Sequence, residues 1–549
     1  MALGNARIHT LKQLPGKVGR PGNNVVAKTH LQSSLKKRFS FPLLDGFDKP
    51  LEFCKHCATG ISIIFMECEN MYRGDIEAEL RGLGLKQSDT VLLHSSLSSL
   101  GYVDGGAETV IDSFLSILGQ EGTLVVPTFG TLGVITEALR ARSESVSSIH
   151  PRASVAAIGG KATEICRDHW KAETAHAQQT PYTRIADLGG YVCLLGVDQD
   201  RNTTLHAVEA LLKLPYLNRT QEATFSTPEG GVSRSWPYFP GPHRDFIGLD
   251  KRLRDEGIVR VGRIGNAVVR LMKSRELIDA LLVDGKVDPA FVLCGNPNCA
   301  DCVRQQAAIQ RQRIGNENFT LATSGLLAGR YIPQMSESCR STGIDSIELD
   351  YIQGEPTQVI PRDRLSAAVS DLTADGCAVI SFRASSVTEH ATSLIESAAE
   401  CGVPSVVFPL TEEAADLISS AAEHGVSISF FNVHLGSVSV YERLAELKTQ
   451  GQDINLTFSA SNFAKAGEKP FLTSYNAKLK RFTDQLDLED CTFDGNYTRL
   501  GMGNAEIKEL VSILRCASFS GYMVLGAGNR TEGDLWASVE GFLHLLDSL

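Results

Sequence analysis

The run Asn202-Thr203-Thr204-Leu205-His206-Ala207-Val208-Glu209 sets an imidazole and a carboxylate three residues apart. On a helix, positions i and i+3 share a face. Imidazole titrates near neutral pH, so His206 can take a proton from an attacking nucleophile, and Glu209 can orient the ring or receive a cationic substrate. His150, in Ile149-His150-Pro151, is a second candidate, although His-Pro before a helix also serves as a cap and turn. A different chemistry is written at residues 89–110. Val91-Leu92-Leu93 is apolar without alternation, as in a strand buried on both faces. His94 ends that run. Ser95, Ser96, Ser98 and Ser99 follow around Leu97, then Gly101 and Gly105-Gly106, and then Val110, Phe114, Leu115 and Leu118 at helical spacing. The pattern is strand, small-residue loop, helix. Such a loop lets backbone N–H groups approach an anion at a helix N-terminus, though an ordinary βα turn reads the same way.

These residues need elements to hold them. Ile76, Leu80, Leu83 and Leu85 predict a helix ahead of the first strand. Residues 123–129 predict a second buried strand ended by Gly130, residues 153–166 a helix, and residues 192–197 another strand. Alternating buried strands and helices predict a layered α/β domain. A Gln-, Arg- and Asn-rich stretch at residues 305–316 reads as the domain boundary. Beyond it, strand candidates recur at residues 319–323, 346–351, 378–383, 405–409, 427–433, 454–459, 486–491 and 522–526. Helical stretches such as residues 387–401 and 412–422 separate most of them, which predicts a (β/α)8 TIM barrel. The expected organisation is a basic, poorly ordered extension over residues 1–70, the layered domain over 71–312 and the barrel over 313–549.

With 549 residues the chain is too long for one core. Its formal charge is −11, but residues 1–44 hold eight Lys/Arg and no acidic residue, so the remainder is at −19. An acidic body argues against nucleic acid as a partner and suits a small cationic amine. No apolar run reaches membrane-spanning length, so no membrane partner is expected. Thirteen cysteines without a secretory signal read as reduced thiols of a cytoplasmic protein. An organelle transit peptide, or a start at Met66 or Met71, would also explain the basic N-terminus. Cys54-Lys55-His56-Cys57 with Cys68 is a lone CxxC, more often chance than a metal site. Cys294, Cys299 and Cys302 could hold zinc with one more ligand. None is visible nearby, so buried or free thiols are the reading and no metal is expected.

The wording of the serine loop is more particular than its composition. His94-Ser95-Ser96-Leu97-Ser98-Ser99-Leu100-Gly101, with Val103 and Gly105-Gly106-Ala107-Glu108-Thr109-Val110, resembles the acetyl-CoA-site run of the aminoglycoside 3-N-acetyltransferase family. His150-Pro151 through Gly159, Thr180-Pro181-Tyr182, and Asn202 through Glu209 match further family runs in the same order. The resemblance covers residues 72–303. It implies the antibiotic N-acetyltransferase type of α/β fold, acetyl-CoA as cosubstrate and an amine acceptor, by default an aminoglycoside. No Q/R-x-x-G-x-G/A pyrophosphate loop of the commoner acetyltransferase superfamily is present. The resemblance makes His206 the general base, with His150 second and Glu209 orienting the ring or binding substrate. It gives Ser95, Ser96 and Leu97 to CoA and the oxyanion, and has Gly105 and Gly106 keep the helix entry clear. His94 is structural or part of the cofactor site. Thr180 and Tyr182 orient the acetyl end, and Glu137 lies beside the acceptor or is a surface carboxylate.

The barrel phrases Leu321-Ala322-Thr323-Ser324-Gly325 and Gly343-Ile344-Asp345-Ser346-Ile347-Glu348-Leu349 resemble xylose-isomerase-like sugar phosphate isomerase/epimerase barrels. In that family carboxylates and histidines hold a divalent metal; Glu348 matches the strand-two position, and His434 is a further ligand candidate. Ser459 stands where Asp is usual, and too few oxygen ligands remain for a hard ion. The barrel is therefore expected to be a binding, substrate-delivery or dimerising module, with a homodimer as one form. The alternatives are a bifunctional protein with a working isomerase or epimerase barrel, and an acetyltransferase of a biosynthetic pathway acting on a non-antibiotic amine.

Overall fold

Strand β1 (Thr90–Ser95) lies in the middle of a seven-stranded sheet, and its neighbours explain why it reads as continuously apolar. The computed structural model describes residues 70–130, 132–238, 243–433, 435–450, 454–528 and 535–549. Expectations for the basic N-terminal stretch, for Cys54, His56, Cys57, Cys68 and Met66, and for His434 lie outside the described residues. The other strands are β2 (Thr123–Pro127), β3 (Val146–Ser147), β4 (Val155–Gly159), β5 (Tyr191–Leu195), β6 (Arg219–Thr227), β7 (Gly230–Tyr238), β8 (Val259–Ile264) and β9 (Ala267–Lys273). The sheet order is β3-β4-β2-β1-β5-β9-β8, and β6 and β7 form a separate hairpin. β1 is parallel to β2 and β5, whereas β4 and β9 join antiparallel.

The sheet is covered on both faces. The helices are α1 (Arg73–Gly82), α2 (Leu97–Leu100), α3 (Gly106–Leu118), α4 (Val134–Ala141), α5 (Ala162–Cys166), α6 (Pro181–Asp187), α7 (Thr204–Leu212), α8 (Leu249–Asp255), α9 (Ser274–Val287) and α10 (Ala300–Gly315). Successive strand residues face opposite sides. Val91, Leu93, Leu124 and Val126 therefore pack with Ile76, Leu80, Val110, Phe114 and Leu118 of α1 and α3. Leu92, Val125, Val192 and Leu194 pack on the other side with Ile185, Leu205, Val208, Leu277 and Leu281 of α6, α7 and α9.

One expected helix is corrected. Residues 153–166 are not a single helix, because β4 occupies Val155–Gly159 and only Ala162–Cys166 is helical. Val155 through Ile158 are all buried and pair with β2. Gly159 then takes φ 129°, and a Cβ there would meet the Gly122 carbonyl oxygen at 2.0 Å, so the chain turns at that point.

The second half closes into an eight-stranded barrel. Its strands are Thr320–Ser324, Ser346–Leu349, Ala378–Arg383, Ser405–Pro409, Ser427–Phe431, Asn455–Ser459, Thr483–Leu488 and Tyr522–Leu525. All neighbouring pairs are parallel, and helices such as Arg362–Ala374, Ala391–Cys401 and Ala414–His424 alternate with them. This is a (β/α)8 architecture. The seventh strand starts earlier than the sequence suggests. Asp490–Cys491 instead forms a short antiparallel ribbon with Tyr497–Thr498, and Gln485 and Asp487 carry the side chains that meet the barrel's polar centre.

The polar stretch at residues 305–316 is mostly helix rather than linker. It falls in α10, where Gln305 and Gln310 are buried. Ala308 packs with Leu214 and Tyr216, and Ile314 joins the barrel core. Arg313 Nη2 donates to the Leu543 carbonyl at 3.1 Å. Polar composition here marks a helix lying between two cores.

Candidate functional site

The serine turn is built by the end of β1. Ser96 N donates to the Leu195 carbonyl of β5 at 2.9 Å, so that amide belongs to the sheet. Ser99 Oγ donates to the Gly196 carbonyl at 2.9 Å and lies 2.9 Å from Ser96 Oγ, and Ser98 Oγ lies 3.2 Å from Ser96 Oγ. Leu97 opens α2, and the first amides of a helix have no partner within it. Gly105 caps α3 with φ 74°, and a Cβ there would meet Thr109 Oγ1 at 2.3 Å. Thr109 Oγ1 is fixed by a bond to the Asp104 carbonyl.

The imidazole site is built by α7. Asn202 Nδ2 donates to Gln199 Oε1 at 2.9 Å, and Thr204 N donates to Asn202 Oδ1 at 3.2 Å. Gln199 Nε2 in turn donates to Asp250 Oδ1 at 3.2 Å, and Arg270 bridges Asp250 and Asp198. This buried polar chain fixes where α7 begins. One helical step later His206 Nδ1 meets Glu209 Oε2 at 2.6 Å. Glu209 is fully buried, while the His206 side chain is 30% exposed. The other carboxylate oxygen accepts from Tyr216 Oη at 2.9 Å and from Arg244 Nε at 2.6 Å. Burial pushes the Glu209 carboxyl up, but the His206 hydrogen bond, with the charges of His206 and Arg244, holds it below its ordinary value. Both oxygens are taken up by protein donors, so Glu209 is committed to the ring. That corrects its expected second role, since the carboxylate is fully buried and does not line the cavity.

One cavity of about 1480 Å³ joins the two sites. His94, Ser95, Ser96, Leu97 and Gly106 line it, and so do His150, His176 and His206. Trp236, Pro237 and Tyr238 of β7 form part of its wall. Burial pushes the His94 imidazole down to about 3. Burial, helped by the charge of Arg234, pushes His150 down to about 4. Both rings are therefore neutral near pH 7. The His150 ring stacks on His169 at 4.7 Å and tilts against Trp236 at 4.7 Å, and its Nδ1 accepts from Arg152 N at 3.2 Å.

The remaining expected residues sit elsewhere. Thr180 and Tyr182 are fully buried and do not line the cavity. Thr180 Oγ1 donates to the Ala177 carbonyl at 2.7 Å and Tyr182 Oη to the Ala153 carbonyl at 2.9 Å. Their hydroxyls brace the segment before α6 and the start of β4 rather than reach a ligand. Gly105 lies just outside the cavity wall, next to Gly106. Glu137 is on α4, directly after the wall residues Val134 to Thr136 but off the wall itself, and pairs with Arg140 at 2.5 Å.

Several wall residues escaped the sequence reading. His176 sits 5.4 Å from the His206 ring, centroid to centroid. Trp236 and Gln221 come from the β6–β7 hairpin, whose signal was present as alternation around Pro228-Glu229-Gly230-Gly231. Tyr216 and Arg244, the further partners of Glu209, had no local signal. Among the described residues lining the cavity, Asp200 is the sole carboxylate, against Arg152 and Arg201.

A family model described as aminoglycoside 3-N-acetyltransferase matches residues 92–131 and 130–282. Aminoglycoside N(3)-acetyltransferase VII of Streptomyces paromomycinus is 30% identical over 257 residues, spanning 38% of this chain and 88% of that protein. Aminoglycoside N(3)-acetyltransferase VIII of Streptomyces fradiae is 29% identical over 255 residues, with shares of 38% and 88%. Among solved structures, the apoenzyme of aminoglycoside acetyltransferase AAC(3)-IVa is 26% identical, covering 43% of this chain and 97% of its own, at a TM-score of 0.39.

Proposed function

Because this chain belongs to the aminoglycoside 3-N-acetyltransferase family, we propose that residues 71–312 transfer acetyl from acetyl-CoA to an amino group, with His206 as general base. The observation that carries this reading is the His206–Glu209 pair at 2.6 Å, on the wall of the cavity that the serine turn also lines. An ammonium has no lone pair, so the acceptor must lose a proton before or as it attacks. Nδ1 is committed to Glu209, so Nε2 takes that proton, and the carboxylate stabilises the imidazolium that forms. The new N–C bond forms at the thioester carbonyl, the C–S bond breaks, and the coenzyme leaves as a thiol once protonated. The amide of Leu97 at the start of α2 and the Ser95 and Ser98 hydroxyls on the cavity wall are the donors offered to the thioester oxygen. His150 is the poorer base, since an imidazole pushed down to about 4 has little affinity for a proton at neutral pH. The test is release of coenzyme thiol on adding acetyl-CoA and an aminoglycoside, with acetylated product identified by mass.

A second reading concerns the acceptor. Aminoglycosides carry several ammonium groups, and a pocket for them is served by several carboxylates. Asp200 as sole lining carboxylate among the described residues, beside Arg152 and Arg201, favours an amine of lower charge, such as an amino sugar or a biosynthetic intermediate. A panel of amines assayed in parallel separates the two: higher kcat/KM for singly charged amines supports the second reading.

For the barrel, we read a binding or assembly role over an isomerase. Arg383 Nη1 donates to Glu348 Oε1 at 2.9 Å and to Asp487 Oδ1 at 2.9 Å, and Nη2 to Asp487 Oδ2 at 2.8 Å. The cation between these carboxylates is a guanidinium, which supports a structural centre. A homodimer remains part of this proposal, tested by mass in solution with and without residues 313–549.

A further inference from the structure

Cys294, Cys299 and Cys302 have no fourth ligand beside them in sequence, but the fold supplies one. His243 lies between the β6–β7 hairpin and α8. Its Nδ1 is 3.2 Å from Cys302 Sγ and 3.3 Å from Cys299 Sγ. One ligand atom from each of His243, Cys294, Cys299 and Cys302 falls within 4.8 Å of all the others. Zinc bonds of ~2.3 Å to sulfur and ~2.0 Å to nitrogen place tetrahedral ligand atoms roughly 3.5–3.8 Å apart. The four side chains are thus gathered to nearly the required spacing. All three thiols are free rather than disulfide-bonded.

The surroundings fit as well. Asn296-Pro297-Asn298 makes a tight turn between the first two thiols, with Cys299 N donating to the Asn296 carbonyl at 3.0 Å. Cys294 N lies 3.4 Å from Cys302 Sγ, an N–H···S contact of the kind that supports a metal-bound thiolate. Cys302 is in the first turn of α10 and is buried.

We propose that His243, Cys294, Cys299 and Cys302 form a structural zinc site. Thiolate and imidazole ligands suit zinc. Four protein ligands fill a tetrahedral shell and leave no position for a reacting water, so the metal would staple rather than catalyse. It would tie the segment ahead of α8 to the start of α10. The next residue, Arg244, donates from Nη1 to the His243 carbonyl at 2.7 Å and from Nε to Glu209 at 2.6 Å. The staple therefore fixes the arginine behind the His206–Glu209 pair. The site does not depend on what the acceptor amine is.

The test is metal content of the full chain purified without chelator, measured by plasma mass spectrometry. About one zinc per chain is expected, released when the thiols are blocked. Because Cys54, Cys57 and Cys68 could also capture metal, variants decide the location. His243→Ala and Cys302→Ser should each lose the bound zinc, while Cys57→Ser and Cys516→Ser keep it. His243→Cys should retain zinc, since four thiolates also bind it. Cobalt exchanged into the parent should give a sulfur-to-cobalt charge-transfer band with intense tetrahedral visible bands, shifted in His243→Cys. If His243→Ala does not fold, the cobalt spectra of the parent and His243→Cys decide. A parent that takes up no zinc on reconstitution overturns the site, as does zinc unchanged in His243→Ala and Cys302→Ser, or a cobalt spectrum identical in the parent and His243→Cys.

Discussion

Glu209 and Glu348 are buried alike, with side chains 0% and 1% exposed, yet each is bound to a different partner. Glu209 is bound to an imidazole that reaches a large cavity. Glu348 is bound to Arg383, which also grips Asp487 and lies 4.2 Å over the Phe431 ring. An imidazole gives and takes a proton near pH 7, whereas a guanidinium does neither. The same acid type therefore serves chemistry in one half of the chain and architecture in the other. What separates the two is the partner and its access to a cavity, not the carboxylate.

The comparison breaks first at His206. His206→Ala should lower kcat for acetyl transfer on the order of 10²–10⁴-fold, at a stability cost of only about 1–3 kcal/mol, because Tyr216 and Arg244 still hold the Glu209 carboxylate. In the barrel the balance reverses. Arg383→Met leaves Glu348 and Asp487 buried without their cation, and should cost about 3–5 kcal/mol of stability. Acetyl transfer below the melting range should be untouched; denaturant unfolding and thiol release measure the two. Glu209→Gln sharpens the contrast, because it keeps shape but removes the charge that steadies the imidazolium. A roughly 10–100-fold loss in kcat with little change in KM is expected, visible in steady-state kinetics.

A smaller effect is a pH dependence confined to the barrel. Burial pushes the Glu489 carboxyl up to about 7, with the nearby Asp487 charge adding to it. Burial likewise pushes Asp484 up to about 7. Unfolded carboxyls titrate near ~4, so the folded chain binds these protons more tightly, and stability falls as pH rises between ~4 and ~7. Glu489→Gln should flatten that slope, read from unfolding midpoints across the range. The smallest effect belongs to Glu137→Gln. Its pair with Arg140 is a half-exposed surface pair, worth about 0–1 kcal/mol, and an unchanged KM for the acceptor would set Glu137 aside as a substrate contact.

What could be read in the sequence was local. His206 and Glu209 meet because one helical step is a fixed geometry. The serine turn follows a strand whose two-sided burial shows as Val91-Leu92-Leu93. Barrel strands were visible because each is a short apolar run between helical stretches. Val155-Ala156-Ala157-Ile158 was misread, since a four-residue apolar run fits helix or strand until its pairing with β2 is known. Long-range partners were invisible. Tyr216 and Arg244 reach Glu209 from a turn and a distant loop, and His243 reaches Cys299 across 56 residues of sequence. Thr180 and Tyr182 were expected at the acetyl end from the family run that they match, but enclosure in the core ties their hydroxyls to backbone carbonyls.

The most direct measurement is chemical rescue of His206→Ala. Thiol release would be followed at saturating acetyl-CoA and amine while imidazole is titrated in at several pH values. Turnover should return in proportion to neutral imidazole. Full turnover of His206→Ala without any imidazole would contradict it.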